Sequence, residues 1–178
     1  IMKQSSKMAL GGIVAALSLV LLISVAIIPF MTYALPAIAG TLTVFMVMEV
    51  NKKWAFGVYA AVAILGIFLV PDKEVSVMYL AFFGYYPILK AIIEKHLHPV
   101  TAWIAKLAVF LLTMVGSYFL MIKLMGLTVD EIEEHGIWGV AMLLGIGTFA
   151  FVFYDIAISK FVLVYEKKWR KQFRKYFK

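Results

Sequence analysis

Six apolar runs account for most of the chain, each closed by a short polar or proline-bearing break. They cover residues 8–29, 33–50, 54–70, 75–93, 101–122 and 137–157. Each approaches the roughly 20 apolar residues that a helix needs to cross a bilayer. None alternates apolar and polar residues with the period of two that a barrel strand requires, so all six are read as helices. The pattern predicts an all-α, polytopic membrane protein with six transmembrane helices. One domain fills residues 1–165, and a basic amphipathic tail follows over 166–178.

The fourth run departs from the rest. From Pro71 to Lys90 it reads PDKEVSVMYLAFFGYYPILK, with Phe82, Phe83, Tyr85 and Tyr86 crowded around Gly84 and followed by Pro87. A proline inside a span removes a backbone hydrogen bond, and a membrane tolerates this where neighbouring helices or water supply a partner. This run is therefore expected to face protein or a cavity rather than lipid.

Composition agrees with the pattern. Of 178 residues, 64% are hydrophobic, well above the share in soluble domains. Cysteine is absent, which excludes disulfides, thiolate chemistry and sulfur-ligated metal. A net charge of +7 would suggest nucleic acid in a soluble protein, but here the charge is ordered by the breaks. With the N-terminus inside, fifteen basic residues fall on the inner side and two, Lys73 and Lys123, on the outer. The positive-inside rule then puts both termini in the cytoplasm of a multi-pass cell-membrane protein. The tail spaces Tyr165, Trp169, Phe173, Tyr176 and Phe177 at helical intervals between basic residues. That predicts a cationic helix lying on the inner membrane surface against anionic lipid, with no role in nucleic-acid binding.

Intramembrane charge is scarce, so each instance carries information. Asp155 sits inside the sixth run, where an ionised carboxylate is costly unless paired. Lys106, at a similar depth in the fifth run, is the first expected partner, and Lys160 the second. Ion-coupled transport needs a second acid at that depth, and Glu49 reads as interfacial beside Asn51-Lys52-Lys53. Lys90 reads as snorkelling to the cytoplasm. In the last outer break, Thr128 and Glu131 have capping-box spacing and Gly136 a helix-stop position, which predicts a short surface helix or a lid. His96 and His98 read as solvated, and His135 with its neighbouring acids is too loosely spaced for a metal site. No metal site, cofactor or catalytic arrangement emerges: there is no phosphate loop, metal-ligand spacing or nucleophile–base pairing, so the chain is read as a non-enzyme.

The first run contains KMALGGIVAAL, which sets Gly11 with Ala15, and Gly12 with Ala16, four residues apart on faces that admit close helix approach. With the length and six spans, this resembles the substrate-binding S component of energy-coupling factor (ECF) transporters. The resemblance implies that Gly11, Gly12, Ala15 and Ala16 dock a transmembrane coupling subunit that works with separate ATPases. The chain uses glycine where that family favours alanine. It further implies a solute site beneath the outer loops. The matching material is Tyr33, the turn Asp72-Lys73-Glu74, Tyr79, Phe82 and Phe83 on the fourth run, and Trp138. Aromatic walls with a few placed polar groups suit a small vitamin-like or aromatic solute.

Two functions follow as expectations. One is a substrate-capture subunit energised by another module. The other is a non-transporting membrane scaffold or envelope-assembly subunit, using the same small-residue face and tail.

Overall fold

The structure, a computed structural model, describes residues 3–125 and 130–176. Every regular element among them is helical. In chain order these are α1 (Gln4–Ser24), a 3-10 turn (Pro29–Met31), α2 (Ala34–Glu49) and α3 (Lys52–Leu69). Then come α4 (Lys73–Met78), a π turn (Tyr79–Phe83) and α5 (Tyr86–His96), which together make one broken span. The chain ends with α6 (Pro99–Met125), α7 (Asp130–Val164), a second π turn (Tyr165–Trp169) and α8 (Arg170–Tyr176).

Among the described residues five helical segments are long and apolar enough to cross a membrane, compatible with a multi-pass membrane protein. The second run forms a shorter helix: α2 has 16 residues, about 24 Å at 1.5 Å per residue. Asn51 limits α2 because it caps the next helix, its side chain accepting from the Trp54 N–H at 2.9 Å. Outward faces carry Ile27, Phe30, Phe68, Leu112 and Ile137 in the open, a surface suited to lipid rather than water. Within α7, Gly136 breaks the helix at φ 57° and ψ −134°, a left-handed backbone state that favours glycine.

The ends of the bundle are fixed by side-chain contacts. Lys52 donates to the carbonyl of Ala91 at 3.3 Å, and Arg170 to Glu49 at 3.2 Å, which gathers one set of helix ends. At the opposite end Tyr33 donates to Glu74 at 2.9 Å. α1 packs against α2 and α3, with Leu10, Val14 and Leu22 facing Val58 and Val62 in an aliphatic core. A second, aromatic core joins Phe82 and Tyr86 of the broken span to Phe110 of α6 and Phe151 of α7.

The broken span belongs to both cores. Tyr79 and Ile88 enter the aliphatic one, Phe82 and Tyr86 the aromatic one, and Phe83 touches both. In its apolar stretch 56% of residues are buried inside the protein, against at most 28% in the other four spans. The expectation that this run faces protein holds for that reason.

The tail continues the helix of α7 through the second π turn without a break. Tyr165 is buried, with its ring 4.9 Å edge-on from Phe45 of α2. Arg170 reaches both Glu49 and Glu166. The start of the tail is thus docked on the end of α2. The side chains of Phe173 and Tyr176, and all of Phe177, lie outside the described residues.

Candidate functional site

The interior holds two polar sites, both built on the broken span, and its backbone explains why. Pro87 sits in the first turn of α5 and has no N–H to donate, so the chain before it cannot continue as regular α-helix. The Gly84 N–H reaches back five residues to the Tyr79 carbonyl at 2.9 Å, the bond of a π turn. The Tyr59 hydroxyl of α3 donates to the Leu80 carbonyl at 2.6 Å. The Phe83 carbonyl rests against Gly40 of α2, where a Cβ would collide with it. Gly84 is as tightly held, with the rings of Tyr59 and Tyr79 filling the place a side chain would take. The span is therefore seated on α2 and α3 by two glycines at a depth where its own ladder is interrupted.

The first site is ionic. Tyr86, Lys90 and Glu94 follow one another at intervals of four along α5, so they share a face. Asp155 of α7 accepts from the Tyr86 hydroxyl at 2.5 Å and from Lys90 at 2.8 Å on Oδ1, and from Lys106 of α6 at 2.9 Å on Oδ2. Glu94 closes the ring, accepting on Oε1 from Lys90 at 2.5 Å and Lys106 at 2.9 Å. Lys106 also stands 4.1 Å over the Trp103 ring. Two cations face two carboxylates, so the cluster is neutral. Asp155, Lys90 and Lys106 are buried, while Glu94 is 43% exposed. An unpaired charge in such a place costs several kcal/mol, which makes mutual pairing the condition for burial.

Lys106 is thus one of two lysines on Asp155, and Lys160 is exposed. Lys90 does not snorkel but turns inward. Glu94, in the polar break after the fourth run, supplies a second acid to the cluster. The signal for both was the four-residue spacing from Tyr86, hidden because the apolar run appeared to end before Glu94.

The second site is made of hydroxyls. On the other side of the Tyr86 ring, 5.9 Å away, lies the ring of Tyr154, which is also 5.3 Å from Phe83. The hydroxyls of Tyr154 and Tyr79 are fully buried, beside the hydroxyls of Thr41 and Ser18 respectively. Ser18 and Thr41 spend their own protons on backbone, which leaves their oxygens free to accept from the two phenols. Ser18 donates to the Ala39 carbonyl at 3.4 Å and Thr41 to that of Ala37 at 2.9 Å. A buried hydroxyl without a partner costs about 1–3 kcal/mol, and a native chain retains few of them.

The remaining candidates divide by place. Asp72 caps α4, accepting from the N–H groups of Glu74 and Val75 at 3.0 and 3.4 Å. Lys73 donates to the carbonyls of Ile67 and Val70 at the end of α3. Glu74 holds Tyr33, whose side chain is 56% exposed. These four residues cluster at one end of the bundle, bound to each other or to backbone. Tyr79 and Phe82 are buried, Phe83 is half-buried, and Trp138 is 80% exposed and apart from them. On α1, Gly11 packs inward against Val58 and Met46, and Ala15 joins the same core. Gly12 and Ala16 face outward, with open space around Gly12. The capping pair at Thr128 and Glu131 lies outside the described side chains. Among the described residues no group of three or more His, Asp or Glu is placed to hold a metal ion.

Comparison with protein-family models, curated proteins and solved structures yields no match to this chain.

Proposed function

We propose that this chain is a membrane-embedded substrate-capture subunit. It has six spans, with α2 as a short one, and both termini in the cytoplasm. It takes a small vitamin-like or aromatic solute from outside and relies on a separate coupling and ATPase module for energy. The supporting observation is the broken span, which is mostly surrounded by protein, interrupted at its centre, and lined by aromatic rings beside two buried phenol hydroxyls. A span that only filled lipid would gain nothing from a π turn, a proline and buried phenols. In this orientation the Asp72 end faces outward, and the ionic cluster lies toward the cytoplasm, sealing the inner side beneath the aromatic layer. Gly12 and Ala16 present the small-residue face to the coupling subunit.

The test is purification in detergent, followed by mass spectrometry for a retained small molecule and thermal-shift measurement against a vitamin and nucleobase panel. A retained solute or a ligand-dependent rise in melting temperature is expected. Failure throughout the panel, with nothing retained, overturns capture. For docking, Gly12→Leu and Ala16→Leu should abolish co-purification with a coupling subunit and leave the fold unchanged, whereas Gly11→Leu should unfold it.

One observation favours the second reading, a non-transporting scaffold. Asp72, Lys73 and Glu74 all spend their polar groups within the protein, as a purely structural turn would. A scaffold would melt without ligand dependence and still depend on the Gly12–Ala16 face for assembly.

A further inference from the structure

We infer that the end of the bundle where Lys52 and Arg170 gather the helices binds anionic phospholipid headgroups, chiefly through a stripe of lysines on the tail. In the orientation proposed above this is the inner leaflet, but the surface does not depend on the capture reading. Four acids, Glu49, Glu94, Asp155 and Glu166, lie toward this end, and all four are paired within the protein. Glu49 and Glu166 share Arg170, while Glu94 and Asp155 share Lys90 and Lys106. Lys53, Lys95, Lys167, Lys168, Lys171 and Lys175 are exposed. Among the described residues none of these six forms an ion pair. The uncompensated positive charge therefore sits on the surface.

The neighbours of these lysines place them at the edge of the hydrocarbon layer. Leu163 and Val164 are exposed at the end of α7, so the apolar surface of that span runs up to the tail. Lys167 and Lys168 follow within one turn, and Trp169 beside them is 52% exposed. An indole left open next to ammonium groups suits the headgroup level, where its ring meets acyl chain and its N–H meets water. Arg170 pins this helix to α2 through Glu49. Lys168, Lys171 and Lys175 recur at intervals of three and four, so they share one face, turned away from that of Arg170. From first to last they cover about 10 Å at 1.5 Å per residue, enough to cross the headgroup layer of one leaflet, about 5–8 Å deep. Lys53 opens α3 just after Glu49, the acid on which the tail is docked, and adds its charge at the same end. Phosphodiester headgroups supply the missing negative charge. A nucleic acid would answer the lysines but not the open Leu163, Val164 and Trp169 that adjoin them.

The test uses the full chain reconstituted in vesicles of phosphatidylcholine with a rising fraction of phosphatidylglycerol. One lipid at a time carries brominated acyl chains, and quenching of tryptophan fluorescence gives the association constant of phosphatidylglycerol relative to phosphatidylcholine. Wild type is compared with the triple variant Lys168→Gln, Lys171→Gln, Lys175→Gln, with the same three lysines changed to Arg, and with Lys123→Gln at the opposite end. Wild type should prefer phosphatidylglycerol at low salt and lose most of that preference at about 0.5 M salt. A lysine near an anionic surface is worth roughly a fivefold change in association, so the glutamine triple variant should show almost no preference. The arginine variant and Lys123→Gln should keep the wild-type value, and every variant should melt like wild type. A glutamine variant that prefers phosphatidylglycerol as strongly as wild type does overturns the stripe. A preference that survives high salt overturns charge as its cause. Binding of labelled polyuridylate without any preference for phosphatidylglycerol makes nucleic acid the partner and overturns the proposal. A glutamine variant that melts well below wild type shows that these lysines hold the fold, which overturns it as well. Each of these failures leaves capture standing, since capture is read from a retained solute.

Discussion

Asp155 receives three hydrogen bonds from two helices, whereas its neighbour Tyr154 meets neutral groups, the hydroxyl of Thr41 and the rings of Phe83 and Tyr86. The two residues leave the same turn of α7 in different directions, one toward the lysines and one toward Gly40. At the ionic site opposite charges meet in equal number, so burial is tolerated and the arrangement has nothing left to offer a ligand. At the hydroxyl site the groups are neutral and individually cheaper to bury. The difference separates two uses of polarity inside an apolar bundle. Paired charge fastens helices, while neutral hydroxyls can be buried without a counter-charge.

The largest blow to that contrast would come from Asp155→Ala. It leaves Lys90 and Lys106 sharing the half-exposed carboxylate of Glu94 alone and removes the acceptor of Tyr86. Breaking a buried pair in this way should cost roughly 3–5 kcal/mol, seen as a steep drop in the melting midpoint or loss of folded protein from membranes. A variant that melts like wild type would show that the cluster fastens nothing. Next is Gly40→Ala, whose added methyl meets the Phe83 carbonyl. Overpacking there should cost about 1–3 kcal/mol, while Gly12→Ala, into open space, should leave the melt unchanged. Equal melts would mean that the broken span is not seated on α2 as tightly as its glycines imply. The smallest effect belongs to Glu94→Gln. Its carboxylate is 43% exposed and both lysines keep Asp155, so the loss should stay within about 1 kcal/mol. A loss as large as that of Asp155→Ala would move the anchor of the cluster from the interior to its rim.

Much of the fold was legible because apolar runs of span length, broken by charged or proline-bearing turns, have few other solutions than helices in lipid. Asp155 and Lys106 were legible for a related reason: charges inside such runs must find each other, and these two lie at matching depths. Lys90 and Glu94 were not, since lysine and glutamate near the end of a run look like residues reaching for water. Only the face they share with Tyr86 reveals otherwise, and that face is set by a break whose geometry the sequence announces through Gly84 and Pro87 without specifying. The hydroxyl site was half legible. Tyr79 and Phe83 stood out for their place in the run, but Tyr154, beside the more conspicuous Asp155, gave no sign that it would meet them across the bundle.

The π turn has a consequence for phase. A regular helix advances about 100° per residue, and a π turn takes in one residue more than the same height of α-helix. Side chains beyond Phe83 are therefore rotated by about that angle from where an unbroken helix would aim them. Tyr79, ahead of the offset, addresses the aliphatic core, while Tyr86, Lys90 and Glu94, beyond it, address the aromatic core and Asp155. One crossing of the membrane thus behaves as two surfaces spliced out of register, with the seam at Gly84. Without the extra residue Tyr79 and Lys90 would fall on nearly the same face, and the lysine would be aimed at the aliphatic core rather than at Asp155.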